Sequence, residues 1–420
     1  MARDAQRTVH RLSRRAWILG SDPWKTVQLG PLERLRSLCE LALTQGHEPH
    51  LVTPPGTAQP PTQFHPHALD VTILKEIRPG DIVVASAFLP PRILWALMRS
   101  AIPFHVDFYC VGATEGLASR HMNPPWRNRL GRRRTAQRYR MLLDRAERLY
   151  FSNEAQMLLL AGTCYPEADE FTAARLDHLP ERSVIAPMGV RNEPFPFDVP
   201  NPYPPELRNR PVFLWGGGIW EWFDVSALLD AFALLKAQDS SAVLFFLVGN
   251  NPSSSANQDH APSAARRQAQ DLGLLGHNVF FNDRSVTPAE LPGYLQHCYA
   301  GILSNAANLE AAAAWRTRYL DLLWAGKPLV VNRTDPLACA MFRNGSAALA
   351  ESGTAQELAD AIARLCADPD IYATMANATR TAKITCPGPS PIARHWIPSL
   401  FSDAGRRPHP LHGLRWSLGL

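Results

Sequence analysis

Apolar residues in this chain fall into short unbroken runs, separated by stretches in which they recur with helical spacing. In the first half the runs at 16–20, 49–53, 82–87, 104–109, 149–152 and 184–186 predict strands. Between them, Leu32, Leu35, Leu38, Leu41 and Leu43 mark one face of a helix, and further helices are predicted at 92–100, 134–146 and 153–161. Gly46-His47-Glu48 turns the chain from the first helix into the second strand. The rhythm restarts after a proline-rich segment at 194–211, which reads as a hinge. Strands are then expected at 212–215, 243–248, 279–282, 301–303, 328–331 and 347–349, and helices at 225–236, 263–272, 289–298, 317–324, 355–367 and 369–383. Strands that are apolar throughout, rather than alternating, belong to parallel sheets covered by helices on both faces. The fold class is therefore α/β, with two doubly wound parallel-sheet domains: residues 1–205, residues 206–386, and a tail at 387–420 expected to pack back across them.

A chain of 420 residues with 46% hydrophobic and 19% charged positions can bury two cores of ordinary size. No apolar run approaches the roughly 20 residues needed to span a bilayer. The N-terminal arginines are followed by an apolar stretch of only Ala16 to Leu19, too short for a signal-peptide core, so a cytoplasmic protein is expected. The seven cysteines are scattered without metal-ligand spacing, and the histidines form no ligand array, so no metal site and reduced thiols are expected.

The net charge of +5 lies entirely in the first half, where residues 1–205 carry 25 Lys/Arg against 20 Asp/Glu. Nine arginines fall within 127–148, opposed by Asp144 and Glu147. That run is either a solvated helix face or a patch for anionic lipid headgroups or a charged acceptor, placing the protein peripherally at a membrane. No aromatic ladder is interleaved with it, which argues against nucleic acid as partner.

Two segments carry the chemistry. In the first, a strand ending at Trp215 runs into Gly216-Gly217-Gly218, then Trp220, Trp222 and a helix from Val225. Residues without side chains let a backbone approach a ligand, and a helix N-terminus offers free N–H groups to an anion; glycines also serve tight turns. About 90 residues later come Glu310, Arg316, Arg318 and Asp321, followed by Trp324-Ala325-Gly326-Lys327-Pro328. Carboxylates accept from sugar hydroxyls, and guanidinium forks suit phosphate. Because ligands of open α/β sheets bind at the C-terminal strand edges, both segments and the loop 248–252 are expected on one cleft.

These residues resemble the retaining glycosyltransferases of family 4 (glycosyl transferases group 1), which have the GT-B fold. The run from Asp321 to Val331 is similar to the family's E-A-x-A-x-G-x-P-V-V ending, Gln45 to Thr53 to its early G-H-E-V segment, and Pro187-Met188-Gly189-Val190 to the motif before its linker. The resemblance implies metal-independent transfer of a sugar from a nucleotide-diphosphate sugar, with retention at the anomeric carbon. The acceptor would be a glycan, a lipid-linked saccharide of the cell envelope or a small molecule. No resident cofactor is implied.

By the same resemblance, Asp321 would bind the ribose hydroxyls, Glu310 the donor sugar, and Gly216, Gly217 and Gly218 would make room for the diphosphate. Asn250 would line the nucleotide side, with Trp220 offering a face to the donor. Asp107 and Tyr109, at the end of a first-domain strand, would face the acceptor. The chain departs from the family in two ways. Ten residues separate Glu310 from Asp321 instead of seven, and no Arg or Lys stands near Gly218 or Phe223, where the diphosphate clamp belongs. Arg316 and Arg318 are expected to supply that charge from the opposite wall. Set against these assignments, two arginines two apart cannot share a helix face, Glu310 could sit on a helix surface, Asp107 could cap a neighbouring helix, and the tryptophans could be core. Loss of the clamp leaves two further functions open: a non-catalytic GT-B-like binding or scaffold protein, and a GT-B-like enzyme of non-glycosidic coupling chemistry.

Overall fold

The computed structural model describes residues 14–25, 30–110, 112–118, 123–191, 193–248, 260–284, 286–382 and 392. The first domain begins with β1 (Arg15–Leu19), α1 (Gly30–Thr44), β2 (Glu48–Thr53), β3 (His67–Ala68), β4 (Ile82–Ser86) and α2 (Pro91–Arg99). It continues through β5 (His105–Phe108), α3 (Gly112–Ala118), α4 (Pro125–Arg145), β6 (Leu149–Phe151), α5 (Glu154–Cys164), α6 (Glu170–Asp177), α7 (Leu179–Arg182) and β7 (Ser183–Ile185). The second domain opens with β8 (Val212–Trp215), α8 (Val225–Ala237), β9 (Val243–Phe246), α9 (His260–Asp271), β10 (Val279–Phe281) and α10 (Leu291–His297). Then follow β11 (Ala300–Leu303), α11 (Leu309–Ala313), α12 (Thr317–Trp324), β12 (Leu329–Asn332), α13 (Pro336–Arg343), β13 (Ala347–Ala350), α14 (Ala355–Ala367) and α15 (Pro369–Ala382).

The strands form two sheets, ordered β3-β2-β1-β4-β5-β6-β7 and β10-β9-β8-β11-β12-β13. Every pairing between these strands is parallel. All four residues of β8, β9, β11 and β12 are buried, as unbroken apolar runs require when helices cover both faces. Each sheet reverses its winding beside its first strand, between β1 and β4 and between β8 and β11. In open α/β sheets the crevice that binds ligands lies at such a reversal, outside the carboxyl ends of the strands.

Local signals fix several helix starts. Asn153, Asp224, Asn308, Asp335 and Thr354 each accept a backbone N–H of the first turn of α5, α8, α11, α13 and α14. Gly326, at φ 70°, ends α12 in the left-handed conformation that favours glycine. α4 starts nine residues earlier than the apolar rhythm predicts, because residues 125–134 are almost wholly exposed and carry no stripe; Pro125 suits its first turn. The short helices α3, α6, α11 and α13 also escape the periodicity.

Phe195, Tyr203 and Leu207, inside the segment read as a hinge, are buried in the second domain's core. The Tyr203 hydroxyl donates to Tyr294 O at 3.0 Å and His297 Nε2 lies 2.9 Å from Val199 O, strapping the segment along α10. Of the tail 387–420 only Ile392 is described; it is fully buried among Ala16, Ile18, Leu51 and other first-domain core residues.

Candidate active site

The crevice between β8 and β11 holds both segments singled out from the sequence. After β8 the chain passes Gly216, Gly217 and Gly218 and is tied to the loop after β11. Phe223 and Asn305 form an antiparallel bridge, Asp224 N donates to Ser304 O at 3.0 Å, and Ala306 N to Trp222 O at 3.2 Å. Arg318, in the first turn of α12, lies under the glycine loop. Its Nη2 donates to Gly218 O at 3.1 Å, and its guanidinium sits over the rings of Phe223 (4.6 Å) and Trp215 (5.4 Å). A Cβ on Gly217 would stand 2.9 Å from Arg318 Cζ, so the glycine here makes room for a guanidinium of the same chain. Burial foremost, then the neighbouring Arg316, pushes the Arg318 pKa down to about 9, which leaves it cationic at neutral pH. α12 itself begins without a side-chain cap.

Arg316 is otherwise engaged. It is 7% exposed, lies over Phe223, and grips Glu310 with two hydrogen bonds, Nη1 to Oε1 at 2.9 Å and Nη2 to Oε2 at 2.6 Å. Glu310 therefore presents an ion pair to the cleft, not a free carboxylate. Across the seam α3 packs against α11, and Glu115 faces this pair. Burial foremost, with repulsion from Glu310 added, pushes the Glu115 carboxyl up to about 7, while Arg316 draws it down.

Beneath the loop lies a buried polar network that the sequence reading missed. Asn305 and Asn332 exchange two hydrogen bonds (2.9 and 2.7 Å), and Asp335 accepts from Asn305 Nδ2 (3.2 Å), Tyr319 Oη (3.1 Å) and Ala338 N (2.9 Å). Burial raises the Asp335 pKa to about 6. Four buried polar atoms in this short region have no hydrogen-bond partner among the described residues: Ser304 Oγ, Asn305 Oδ1, Arg316 Nε and Arg318 Nη1. Buried polar groups are nearly always paired, and these four lie within fifteen positions of one another.

The remaining expected residues scatter. Trp220 stacks on Trp222 with centroids 5.4 Å apart and packs on the second core. Asp321 lies one turn beyond Arg318 but faces Arg191, with Nε to Oδ1 at 3.5 Å; Arg191 also reaches Glu33 at 3.4 Å and lies over Trp324. Tyr109 touches the second domain's core from the first domain. Asp107 is turned inward: at 5% exposure, its two oxygens accept from Arg34 at 2.7 and 2.9 Å, and Arg34 also donates to Ala186 O. Asn250 lies outside the described residues. Also unforeseen are Asn153 and Gln156, whose amides donate to Ala313 O at 2.9 and 3.0 Å and pin the first domain to the second. Asn153 was legible only as the start of a helix; nothing in the sequence points to its bond across the seam.

Residues 210–368 match the family model described as glycosyl transferases group 1. No curated protein matches the sequence. Among solved structures, the chain is similar to sucrose-phosphate synthase from Thermosynechococcus elongatus, at 14% identity over 91% of this chain and 97% of that one, TM-score 0.64. It is also similar to WaaG, a glycosyltransferase involved in lipopolysaccharide biosynthesis, at 15% identity over 92% and 100%, TM-score 0.62. Anabaena Alr3699/HepE in complex with UDP-glucose aligns at 14% identity over 91% and 98%, TM-score 0.59. The fold is GT-B.

Proposed function

We propose that the protein is a retaining, family 4 glycosyltransferase that moves a sugar from a nucleotide-diphosphate sugar to a glycan or lipid-linked saccharide. One observation carries this reading: a half-buried arginine, Arg318, whose Nη1 has no partner among the described residues, placed between the glycine loop and the uncapped start of α12. Fixed donors of that kind stabilise the charge that develops on a departing diphosphate, and one is worth about 3 kcal/mol. The neighbour solved with UDP-glucose has the same fold, which supports the choice of donor.

In the proposed reaction the acceptor hydroxyl attacks the anomeric carbon from the face the diphosphate leaves. The bond from that carbon to the diphosphate oxygen breaks, and this oxygen takes the hydroxyl proton. Arg318 holds the charge throughout, Arg316 fixes Glu310 beside the sugar, and Asp321 meets the ribose once its carboxylate turns from Arg191. With a guanidinium in this place no divalent cation is needed. The test is to incubate the protein with nucleotide sugars and candidate acceptors, then follow nucleotide release and the anomeric configuration of the product by NMR. A product retaining the donor's configuration, formed equally in EDTA, fits; an inverted product removes the mechanism.

The closed Glu310–Arg316 pair favours a second reading, in which the crevice binds a nucleotide without transferring sugar. Binding without nucleotide release from any donor would select it.

A further inference from the structure

The first domain's sheet ends at β3, an edge strand of two residues paired to β2 through Val52–His67 and Thr53–Ala68. Leu69 N adds one bond, to Thr53 O at 2.8 Å. So short a pairing belongs to the part of a structure that opens most easily, and side chains supply the rest of its hold. Here they are imidazoles. His50 of β2 and His67 of β3 share a hydrogen bond, Nδ1 to Nε2 at 2.9 Å, and their rings stack with centroids 5.1 Å apart. His65 stacks on His50 at 5.3 Å, and Trp17 of β1 on His50 at 4.4 Å.

Charged groups reach this stack from each neighbouring element. Glu48 of β2 lies 3.4 Å from His50 Nε2 and 3.5 Å from His65 Nε2, but at 46% exposure its attraction is screened by water. Arg15 of β1 opposes a proton on His50, and Glu76, after β3, favours one on His67. Asp81 is taken by Arg15 and by Trp17 Nε1, at 2.6 and 2.9 Å.

The connection from β2 to β3, residues 54–66, runs over the turn that follows β1. Ala58 N donates to Trp24 O at 3.3 Å, and a Cβ on Gly56 would stand 1.9 Å from the same oxygen. Phe64, 1% exposed, shares a core cluster with Trp24 and with Leu32 and Leu35 of α1. A Cβ on Gly30, the first residue of α1, would lie 3.4 Å from Thr317 Oγ1, next to Arg318. The segment retained by the imidazoles therefore packs on the part of the first domain that meets α12.

A neutral imidazole both donates and accepts, so a neutral pair makes the His50–His67 bond with one proton between the facing nitrogens. Two protonated rings carry donors on all four nitrogens, and the same contact then sets N–H against N–H and charge against charge. We infer that His50, His65 and His67 form an acid-released clasp, which holds β3 and the 54–66 connection on the sheet when neutral and frees them when protonated. Burial, above all, keeps His50 and His67 below the ordinary histidine value of 6.5. Once opened, the segment takes up protons at that ordinary value. From there down to the folded values the open form holds more protons, so opening is favoured as pH falls. The clasp rests on no part of the sugar-transfer reading.

The test is hydrogen–deuterium exchange of the full chain at about pH 7.5, 6.5 and 5.5, corrected for the intrinsic pH dependence of exchange. One linked proton changes an opening equilibrium about tenfold per pH unit, so protection of peptides within 54–69 should fall about tenfold from pH 6.5 to 5.5. Protection of β12 should hold. His50→Phe with His67→Gln keeps a ring against Trp17 and removes both titrating groups, and its protection should stay level across the range. Should that variant not fold, His67→Gln alone, at the sheet edge, should show a smaller fall than wild type. Constant protection of the wild-type segment, an equal loss at β12, or a full wild-type loss in the variant that folds would overturn the clasp.

Discussion

At the scale of single residues, what distinguishes this crevice is a cation held where the chain's own backbone makes room for it. Gly217 allows Arg318 to lie against the loop, so a side chain at 217 should act as an indirect lesion of Arg318. Gly217→Val is expected to reduce donor turnover about as much as Arg318→Ala, on the order of 100-fold, with thermal stability changed far less. The measurement is steady-state kinetics beside a thermal melt. Glu115 makes a second prediction, in pH. The folded protein keeps its carboxyl protonated to about pH 7, whereas the unfolded chain ionises it near its ordinary 4.5, so the native state holds the extra proton in that window. Stability from this group is therefore lost as pH rises through it. Glu115→Gln should match wild type near pH 4 and exceed it by a margin of melting temperature that grows up to about pH 7 and then levels off. A margin that stays constant would show that Glu115 is not desolvated against Glu310. Arg318 was legible from the sequence as a candidate, since guanidinium suits phosphate. That its charge is left unneutralised while that of Arg316 is spent on Glu310 was not, because the distinction depends on which way two neighbouring side chains turn at the start of α12.

At the scale of elements, periodicity located most of the fold because strands such as β8 and β12 are buried on both faces and read as unbroken apolar runs. It failed where helices are too short to show a rhythm, as at α11, or too exposed to have a stripe, as in the first half of α4. It also failed for contacts between elements distant in sequence. Asp107 reads as a cleft residue at the end of β5, yet Arg34 reaches it from α1, 73 positions away. This bidentate pair is buried on both sides, with side chains 1% and 6% exposed, and it ties α1 to the sheet. Removing one partner strands the other charge, so Asp107→Ala should cost about 3–5 kcal/mol of stability in chemical denaturation. Replacing both, as in Arg34→Met with Asp107→Leu, should recover most of that loss. If Asp107→Ala instead folds with wild-type stability and loses only activity, its place is in acceptor binding and the anchoring role is wrong.

At the scale of the whole molecule, two doubly wound sheets are joined by a strapped linker and pinned by Asn153 and Gln156 to Ala313, with the β8–β11 crevice opening at their junction. The two-domain architecture was legible because the rhythm restarts after residue 211. How the halves meet was not, since it rests on a few hydrogen bonds across the seam and on the Arg191 cluster. The central claim is that this crevice receives a nucleoside diphosphate through Arg318. Isothermal titration of uridine, thymidine, guanosine and adenosine diphosphates into the wild-type protein and Arg318→Ala tests it most directly. One of the four should bind the wild type and lose roughly 100-fold in affinity with the variant, the equivalent of one strong fixed donor. Equal affinity in both proteins, or binding of none of the four, would contradict the account.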